Sequence, residues 1–166
     1  MTIFDQVVTG FSRSLQNLAV VLDKADQHAK ANKYEMAALL DARLYPDMFS
    51  CKRQIQLATD FAKGSAGRLA GVEVPIWEDT ENTCAELHAR LKKAMVFLAT
   101  LQPEQFADAP TRAIEIKTPV GTFNFTGSAF LLQWAVPNFY FQVTTAYNLL
   151  RHNGVRIGKF DFLGNL

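Results

Sequence analysis

Apolar residues recur every three or four positions in the first part of the chain, the spacing that places them on one face of an α-helix. Polar residues such as Ser12, Arg13 and Gln16 fall between them. The apolar positions are Phe4, Val7, Val8, Phe11, Leu15, Leu18 and Leu22. The pattern predicts an amphipathic helix from about Thr2 to Asn32. The looser pattern of residues 33–45 fits either a short helical turn or the approach to the next helix.

A second helix is predicted to begin at Pro46, because proline suits the first helical turn, where its missing N–H is not needed. Its apolar stripe is rich in small residues: Met48, Cys51, Ile55, Ala58, Ala62, Ala66 and Leu69. Small side chains let a neighbouring helix approach closely, so we expect this helix to pack against the last one. Gly71 is expected to end it.

The polar segment VEVPIWEDT leads to a third helix. Asp79 or Thr80 is predicted to cap it, since a short oxygen-bearing side chain accepts hydrogen bonds from the free N–H groups of the first turn. Pro103 is expected to mark its end. Its buried stripe is predicted to contain Cys84, Leu87, Leu91, Ala94, Leu98 and Leu101.

The hydrophobic period then changes from helical to alternating. Ile114 and Ile116 alternate with charged residues, and Phe123 and Phe125 alternate with polar ones beyond Thr118-Pro-Val-Gly121. This alternation predicts a β-hairpin.

A final helix is predicted after the hairpin, with Thr126 or Ser128 as its cap, a kink at Pro137 and a left-handed stop at Asn153-Gly154. Residues 130–154 read FLLQWAVPNFYFQVTTAYNLLRHNG and are apolar on every side. One side holds Trp134, Phe141, Thr145 and Asn148, and the opposite side holds Leu132, Phe139, Val143, Ala146 and Leu150. Such a helix needs cover on several sides. We therefore expect a homodimer in which a second copy covers part of it.

Together these elements predict an all-α fold: one four-helix-bundle domain over residues 1–166, with a small β-hairpin before the last helix. A chain of 166 residues is long enough to bury a core without a disulfide or a cofactor. The long connections before the second and fourth helices leave the order of the helices in the bundle open.

Charge and cysteine content narrow the function classes. The 17 basic residues nearly balance the 16 acidic ones and form no dense run, which argues against nucleic-acid and anionic-membrane partners. Cys51 and Cys84 are widely spaced on helical stripes and are typical of a reduced, cytoplasmic protein. No signal segment or membrane-spanning run is evident.

Candidate chemistry is sparse. The three histidines, His28, His88 and His152, each stand alone on a predicted helix without HxxxH, HExxH or ExxH spacing. GxSxG, GxGxxG and GxxxxGK[ST] motifs are also absent from the sequence. We therefore predict no transition-metal site and no required cofactor.

One polar constellation remains as a candidate pocket. Asn138 and Gln142 lie four residues apart on the last helix, in reach of a cavity shared with Asp47 or Gln54 of the second helix. Aromatic side chains such as Trp134 and Tyr140 are suited to wall that pocket. The structural interpretation makes Asn138 and Gln142 core amides with hydrogen-bond partners near the Pro137 kink, so that Gln142→Leu costs about 1–3 kcal/mol.

The chain resembles the DinB/YfiT-like bundle superfamily, in a branch known only as a domain of unknown function. The resemblance rests on LYPDMFSCKRQIQLATDFAKGSAGRLAG at 44–71, VPIWEDTENTCAELHARL at 74–91 and PNFYFQVTTAYNLLRHNGVRIGKFDFLG at 137–164. It implies a four-helix bundle, commonly dimeric. Active relatives bind a divalent metal through a histidine on the second helix and an HxxxH on the fourth, and some transfer thiols to small electrophiles.

This chain departs from that pattern where the metal would bind. Its fourth helix offers Asn138, Gln142 and Ala146, and its second helix has no histidine. Neutral amides are poor ligands for zinc or nickel.

Two interpretations of the function follow. The first is a non-catalytic or degenerate homodimer that binds a small apolar ligand. The second is a divalent-metal-dependent thiol transferase or hydrolase with atypical ligands from Asp47, Gln54, Asn138 and Gln142.

Overall fold

The computed structural model describes residues 1–165 and is mainly helical, with one small antiparallel sheet. Its helices are α1 (Phe11–Asn32), α2 (Met36–Leu40), α3 (Cys51–Ala70), α4 (Cys84–Ala99), α5 (Gly127–Phe130), α6 (Val136–His152) and α7 (Lys159–Leu163). Strands β1 (Ala113–Thr118) and β2 (Gly121–Thr126) form the sheet. A π-helical segment, Asp5–Gly10, precedes α1, and a second, Leu131–Ala135, joins α5 to α6. A 3-10 turn covers Pro103–Phe106.

The hydrophobic core lies between the long helices α1, α3, α4 and α6. α3 packs against α4 and α6, and α1 packs against the same two helices. Phe11 and Phe139 stack at the α1–α6 contact, with ring centroids 4.0 Å apart. The predicted stripes supply much of this core: Val7, Phe11, Leu15, Leu18 and Leu22 from the first helical segment, Cys51, Ile55, Ala58, Ala62, Ala66 and Leu69 from α3, and Leu87, Leu91, Ala94 and Leu98 from α4.

α3 runs antiparallel to the last helical segment. Leu69, near the end of α3, lies against Gly127 at the start of α5. Phe61, farther back along α3, lines the same cleft as Trp134, which is farther forward along the last segment. The small side chains of the α3 stripe allow this close approach, as the sequence predicts.

The start of α3 differs from the prediction. Pro46 lies in a turn closed by a hydrogen bond from Met48 N to Tyr45 O at 3.0 Å, where proline at the second position is favoured. α3 begins only after Ser50, and the N–H of Cys51 donates to the carbonyl oxygen of Ala42 at 3.0 Å. The looser region before it forms the short helix α2. Gly71 ends α3 with φ +72°, as expected.

The cap of α4 also differs from the prediction. Thr83, rather than Asp79 or Thr80, is the N-cap residue, and its Oγ1 accepts a hydrogen bond from Glu86 N at 3.3 Å. The Glu86 carboxylate accepts from Thr83 N at 2.9 Å, which completes a capping box. Hydrogen bonds from the Asn82 and Thr83 backbone and the Thr83 side chain lower the pKa of Glu86. Asp79 is held instead in ion pairs with arginines.

The predicted hairpin is confirmed. Ile114 pairs with Phe125 and Ile116 with Phe123, and both isoleucines are buried. Thr126 caps α5 through a hydrogen bond that its Oγ1 accepts from Ala129 N. At Gly127, the next residue, a Cβ atom would lie 1.7 Å from the carbonyl oxygen of Ala109, so only glycine fits there.

α6 is enclosed on one side and open on the other. Phe139, Val143, Ala146 and Leu150 are buried because they face α1 and α3. On the other side Phe141 is 56% exposed, and Asn148 is also exposed. Two residues differ from the predicted sides: Thr145 is buried, and Leu132 is exposed because it lies in the π-helical segment, where the turns are wider than in an α-helix. The irregularity expected near Pro137 is the π-helical segment that precedes it. The helix ends at His152, followed by Gly154 with φ +92°.

Within residues 1–165, no helix is both long enough and apolar enough to cross a membrane.

Candidate functional site

Two of the predicted pocket residues are buried glutamines at the α3–α6 contact. Gln54 is 2% exposed and Gln142 is 7% exposed. Gln54 lies on α3 and Gln142 on α6, two helices that pack against each other. Gln54 Nε2 donates to Phe49 O at 3.3 Å. The Oε1 atoms of both glutamines lack a hydrogen-bond partner among residues 1–165, although buried polar atoms are nearly always paired.

The other four predicted residues lie in different surroundings. Asp47 is exposed in the turn before α3. Asn138 is half-buried, and its Nδ2 donates to the Trp134 carbonyl oxygen on the same helical segment at 2.8 Å. The Trp134 ring packs against strand β2, whereas the Tyr140 ring packs against α1. The six residues are therefore not gathered in one cavity.

The donor set of the predicted pocket residues does not fit the divalent metal that the resemblance implies. Gln54 and Gln142 offer neutral amide oxygens, which suit neither zinc nor nickel. Asn138 is already hydrogen-bonded along its own helix, and Asp47 is a surface residue. Across residues 1–165, no group of three or more His, Cys, Asp or Glu side chains is arranged to hold a metal ion. These positions support no metal-dependent step.

A cleft between α3, the hairpin and the last helical segment has the character of a ligand site. We call it the hairpin cleft; its volume is about 260 Å³, and its lining includes Phe61, Ser65 and Arg68 of α3, Ile116 of β1, Phe130 of α5, and Trp134. The walls combine apolar and aromatic side chains with the polar or charged side chains of Asp60, Ser65, Arg68, Lys117 and Thr118. Apolar surface with polar groups at fixed places is the arrangement of small-molecule pockets. Trp134 is held against Phe123 and Phe125, with centroid distances of 5.5 and 6.0 Å.

A wider depression lies at the C-terminal ends of α1 and α6. Its volume is about 670 Å³, and its lining is mostly polar, including Lys24, His28, Asn32 and Arg156. It lacks the aromatic walls of the hairpin cleft, so it is the weaker candidate for a site that binds an apolar ligand.

A charge network centred on one buried arginine lies next to the hairpin cleft. Arg90 of α4 is 2% exposed, and its guanidinium donates to Thr59 Oγ1 at 2.8 Å and to Asp60 Oδ1 at 2.9 Å. It also contacts Asp79 at 2.9 Å and Glu81 at 3.0 Å. Because Asp79 and Glu81 belong to the loop between α3 and α4, Arg90 fastens that loop to both helices.

Trp77 of the same loop lies among the cations of this network. Lys63 Nζ lies 4.6 Å and Lys93 Nζ 4.5 Å from its ring centroid, and the Arg90 guanidinium carbon lies 5.8 Å away. Sequence reasoning missed the network because Arg90 flanks the apolar stripe of α4. The sequence does contain one signal of the network. Residues 77–81 read WEDTE, a tryptophan followed by three acidic residues, in a segment that was predicted only as a loop.

The cysteines are suited to packing rather than to nucleophilic chemistry. Both thiols are free. Burial raises the pKa of Cys51 to about 12. Burial, followed by the nearby carboxylates of Asp26 and Asp23, raises the pKa of Cys84 to about 11. Both side chains are therefore neutral thiols near pH 7.

The chain can now be compared with known proteins. Residues 3–163 match the family model described as a domain of unknown function, DUF1993. The structure is similar to the crystal structure of a DinB family member protein from Shewanella denitrificans, with a TM-score of 0.93 and 41% sequence identity. That similarity covers 99% of this chain and 93% of the other. No curated protein gives a significant match. The resemblance predicted from the sequence is thereby confirmed, and the chain belongs to the DUF1993 family of DinB-like proteins.

Proposed function

We propose that this protein is a homodimeric DinB-like binding protein that lacks the metal centre of active relatives and holds a small apolar ligand in the hairpin cleft. The observation that carries the proposal is the set of aromatic walls formed by Phe61, Phe130 and Trp134. Phe130 is 1% exposed, and Trp134 packs against β2, so two of the walls are fixed by the fold. A cleft whose aromatic walls are already fixed binds a ligand with little ordering cost.

The proposal includes a four-helix bundle within one domain over residues 1–166. In support, side chains from α1, α3, α4 and α6 share one hydrophobic cluster. It also includes a cytoplasmic location, with Cys51 and Cys84 as free thiols in support.

The proposed dimer uses the open side of α6. Phe141 is 56% exposed, so a large apolar side chain of α6 is not covered by its own chain. In a two-fold dimer the same patch on each copy would cover the other. The chain would then bury the face of α6 that α1 and α3 leave free.

Calorimetric titration with the neutral probe 1-naphthylmethanol tests ligand binding. We expect saturable binding to the wild-type chain and a loss of about tenfold or more in affinity for Trp134→Ala, which removes one aromatic wall. Trp77→Ala is the matched control, because Trp77 lies outside the hairpin cleft, and it should bind like the wild type. No saturable binding to the wild type, or equal losses in the two variants, would refute the proposal.

A further inference from the structure

Arg68 gives the hairpin cleft a cation, and most of its hydrogen-bond donors have no partner in the part of the chain that the structure describes. Its Nη1 donates to the Gly64 carbonyl oxygen at 2.9 Å. A guanidinium has five N–H donors, and among residues 1–165 Arg68 makes no ion pair with a carboxylate. Arg68 is an exposed residue at the edge of the cleft, and the partial burial of its guanidinium lowers its pKa by removing some of the water around the charge.

Gly64 determines where this guanidinium lies. A Cβ atom at Gly64 would lie 2.7 Å from Arg68 Nη1, so the absence of a side chain lets the arginine fold back along α3. Arg68 thereby borders the hairpin cleft and also the neighbouring depression that Lys63 and Trp77 line. Gly64→Ala would move the guanidinium while leaving its charge in place.

The remaining charges of the lining leave an excess of positive charge. Asp60 lines the same cleft, but its carboxylate is already bound by Arg90 at 2.9 Å and by Lys63 at 3.0 Å. Lys117 of β1 contributes a second cation to the lining; it pairs with Glu115 at 3.1 Å on the exposed hairpin surface. Arg90 and Lys63 both contact Asp60 Oδ1 and offset the charge of this carboxylate, so a ligand anion in the cleft would meet a net positive lining.

We propose that the hairpin cleft selects small organic carboxylates with an aromatic or aliphatic body, the carboxylate binding Arg68 and the body lying against Phe61, Phe130 and Trp134. This inference rests on the proposed function and specifies its ligand class. Planar guanidinium and carboxylate groups pair through two parallel hydrogen bonds, which supplies both affinity and orientation. The cleft volume of about 260 Å³ limits the ligand to a small molecule.

The test compares two probes that share one ring system, 1-naphthoate and 1-naphthylmethanol, by calorimetric titration of the full chain at pH 7. We expect the wild type to bind the carboxylate about tenfold more tightly than the alcohol, the effect of one charge-assisted contact. Arg68→Met should remove this preference, measured as the ratio of the two affinities within each variant, so that any general effect of the substitution on the cleft lining cancels. Gly64→Ala, which keeps the charge but displaces it, should reduce the preference. Lys92→Met on the exposed face of α4 is the control and should retain it.

The outcomes separate the two proposals. If the wild type binds both probes equally, or if Arg68→Met keeps the preference for the carboxylate, the carboxylate inference is overturned and the apolar site stands. If neither probe binds, the hairpin cleft is not a ligand site and both proposals fail.

Discussion

At the scale of single residues, Arg90 connects three parts of the chain. It is buried, and its guanidinium contacts Asp60 of α3 and both Asp79 and Glu81 of the following loop. Arg90→Met would leave these carboxylates without their shared counter-charge, so we expect the free energy of unfolding to fall by about 3 kcal/mol or more. Urea denaturation measures this change. Lys92→Met, an exposed change on the same helix, should stay within about 0.5 kcal/mol of the wild type. One ordinary hydrogen bond contributes about 1 kcal/mol to stability. A loss smaller than that for Arg90→Met would show that the network contributes little to the free energy of unfolding.

Two buried glutamines of α3 and α6 are expected to respond in opposite ways to the same substitution. Gln56 is 3% exposed, and its Nε2 donates to the Glu81 carboxylate at 3.0 Å, so Gln56→Leu should cost about 1.5–3 kcal/mol. Gln142 has an unpaired Oε1, so Gln142→Leu removes a desolvated polar atom and should leave stability unchanged or raise it. This reverses the sign that the sequence predicts for Gln142. Thermal and urea unfolding of the two variants test the contrast; a loss above 1 kcal/mol for Gln142→Leu would indicate a hydrogen bond that forms in solution.

The sequence predicted which side chains are buried better than it predicted which side chains contact each other. Spacing correctly indicated that Gln142 is buried, but it also grouped Trp134 and Tyr140 into one pocket. Six residues of an α-helix make about one and two-thirds turns, so the Trp134 and Tyr140 rings project from different faces of the segment. Trp134 therefore contacts the hairpin while Tyr140 contacts α1.

At the scale of elements, the start of α4 depends on Thr83. Its side chain accepts a hydrogen bond from Glu86 N, and the Glu86 carboxylate accepts from Thr83 N. Thr83→Ala should lower the free energy of unfolding by about 1 kcal/mol. Thr80→Ala changes the alternative cap suggested by the sequence and should have an effect within about 0.5 kcal/mol, since Thr80 is exposed. Equal losses in the two variants would contradict the assignment of Thr83 as the cap.

The stripes, the hairpin and the helix stops could be predicted because each depends on local sequence. Gly71 and Gly154 adopt positive φ where a left-handed stop was expected. The helix starts could not be predicted as well, because they depend on distant partners. Asp79 is a good cap by residue type, yet it pairs with Arg53 and Arg90. Similarly, the Cys51 N–H at the start of α3 finds its acceptor in the loop before the helix.

At the scale of the whole molecule, the open side of α6 predicts a dimer. Light scattering at micromolar concentration should give twice the chain mass of 18.6 kDa. Phe141→Gln should weaken association, because it places an amide in the proposed apolar contact. Phe160→Gln makes the same change at a phenylalanine of α7 that is 78% exposed, and it should leave the dimer intact. A wild-type mass of one chain would contradict the dimer, and dissociation by Phe160→Gln alone would place the interface elsewhere.

The central claim is that the hairpin cleft, walled by Trp134, is the ligand site. The chain has two tryptophans, so ¹⁵N-labelled protein gives two indole N–H signals in a proton–nitrogen correlation spectrum, and Trp77→Phe assigns them. Titration with 1-naphthylmethanol is the most direct test. We predict that the Trp134 signal shifts and saturates while the Trp77 signal stays in place. A shift of the Trp77 signal alone, or no shift of either signal at saturating probe, would contradict the account.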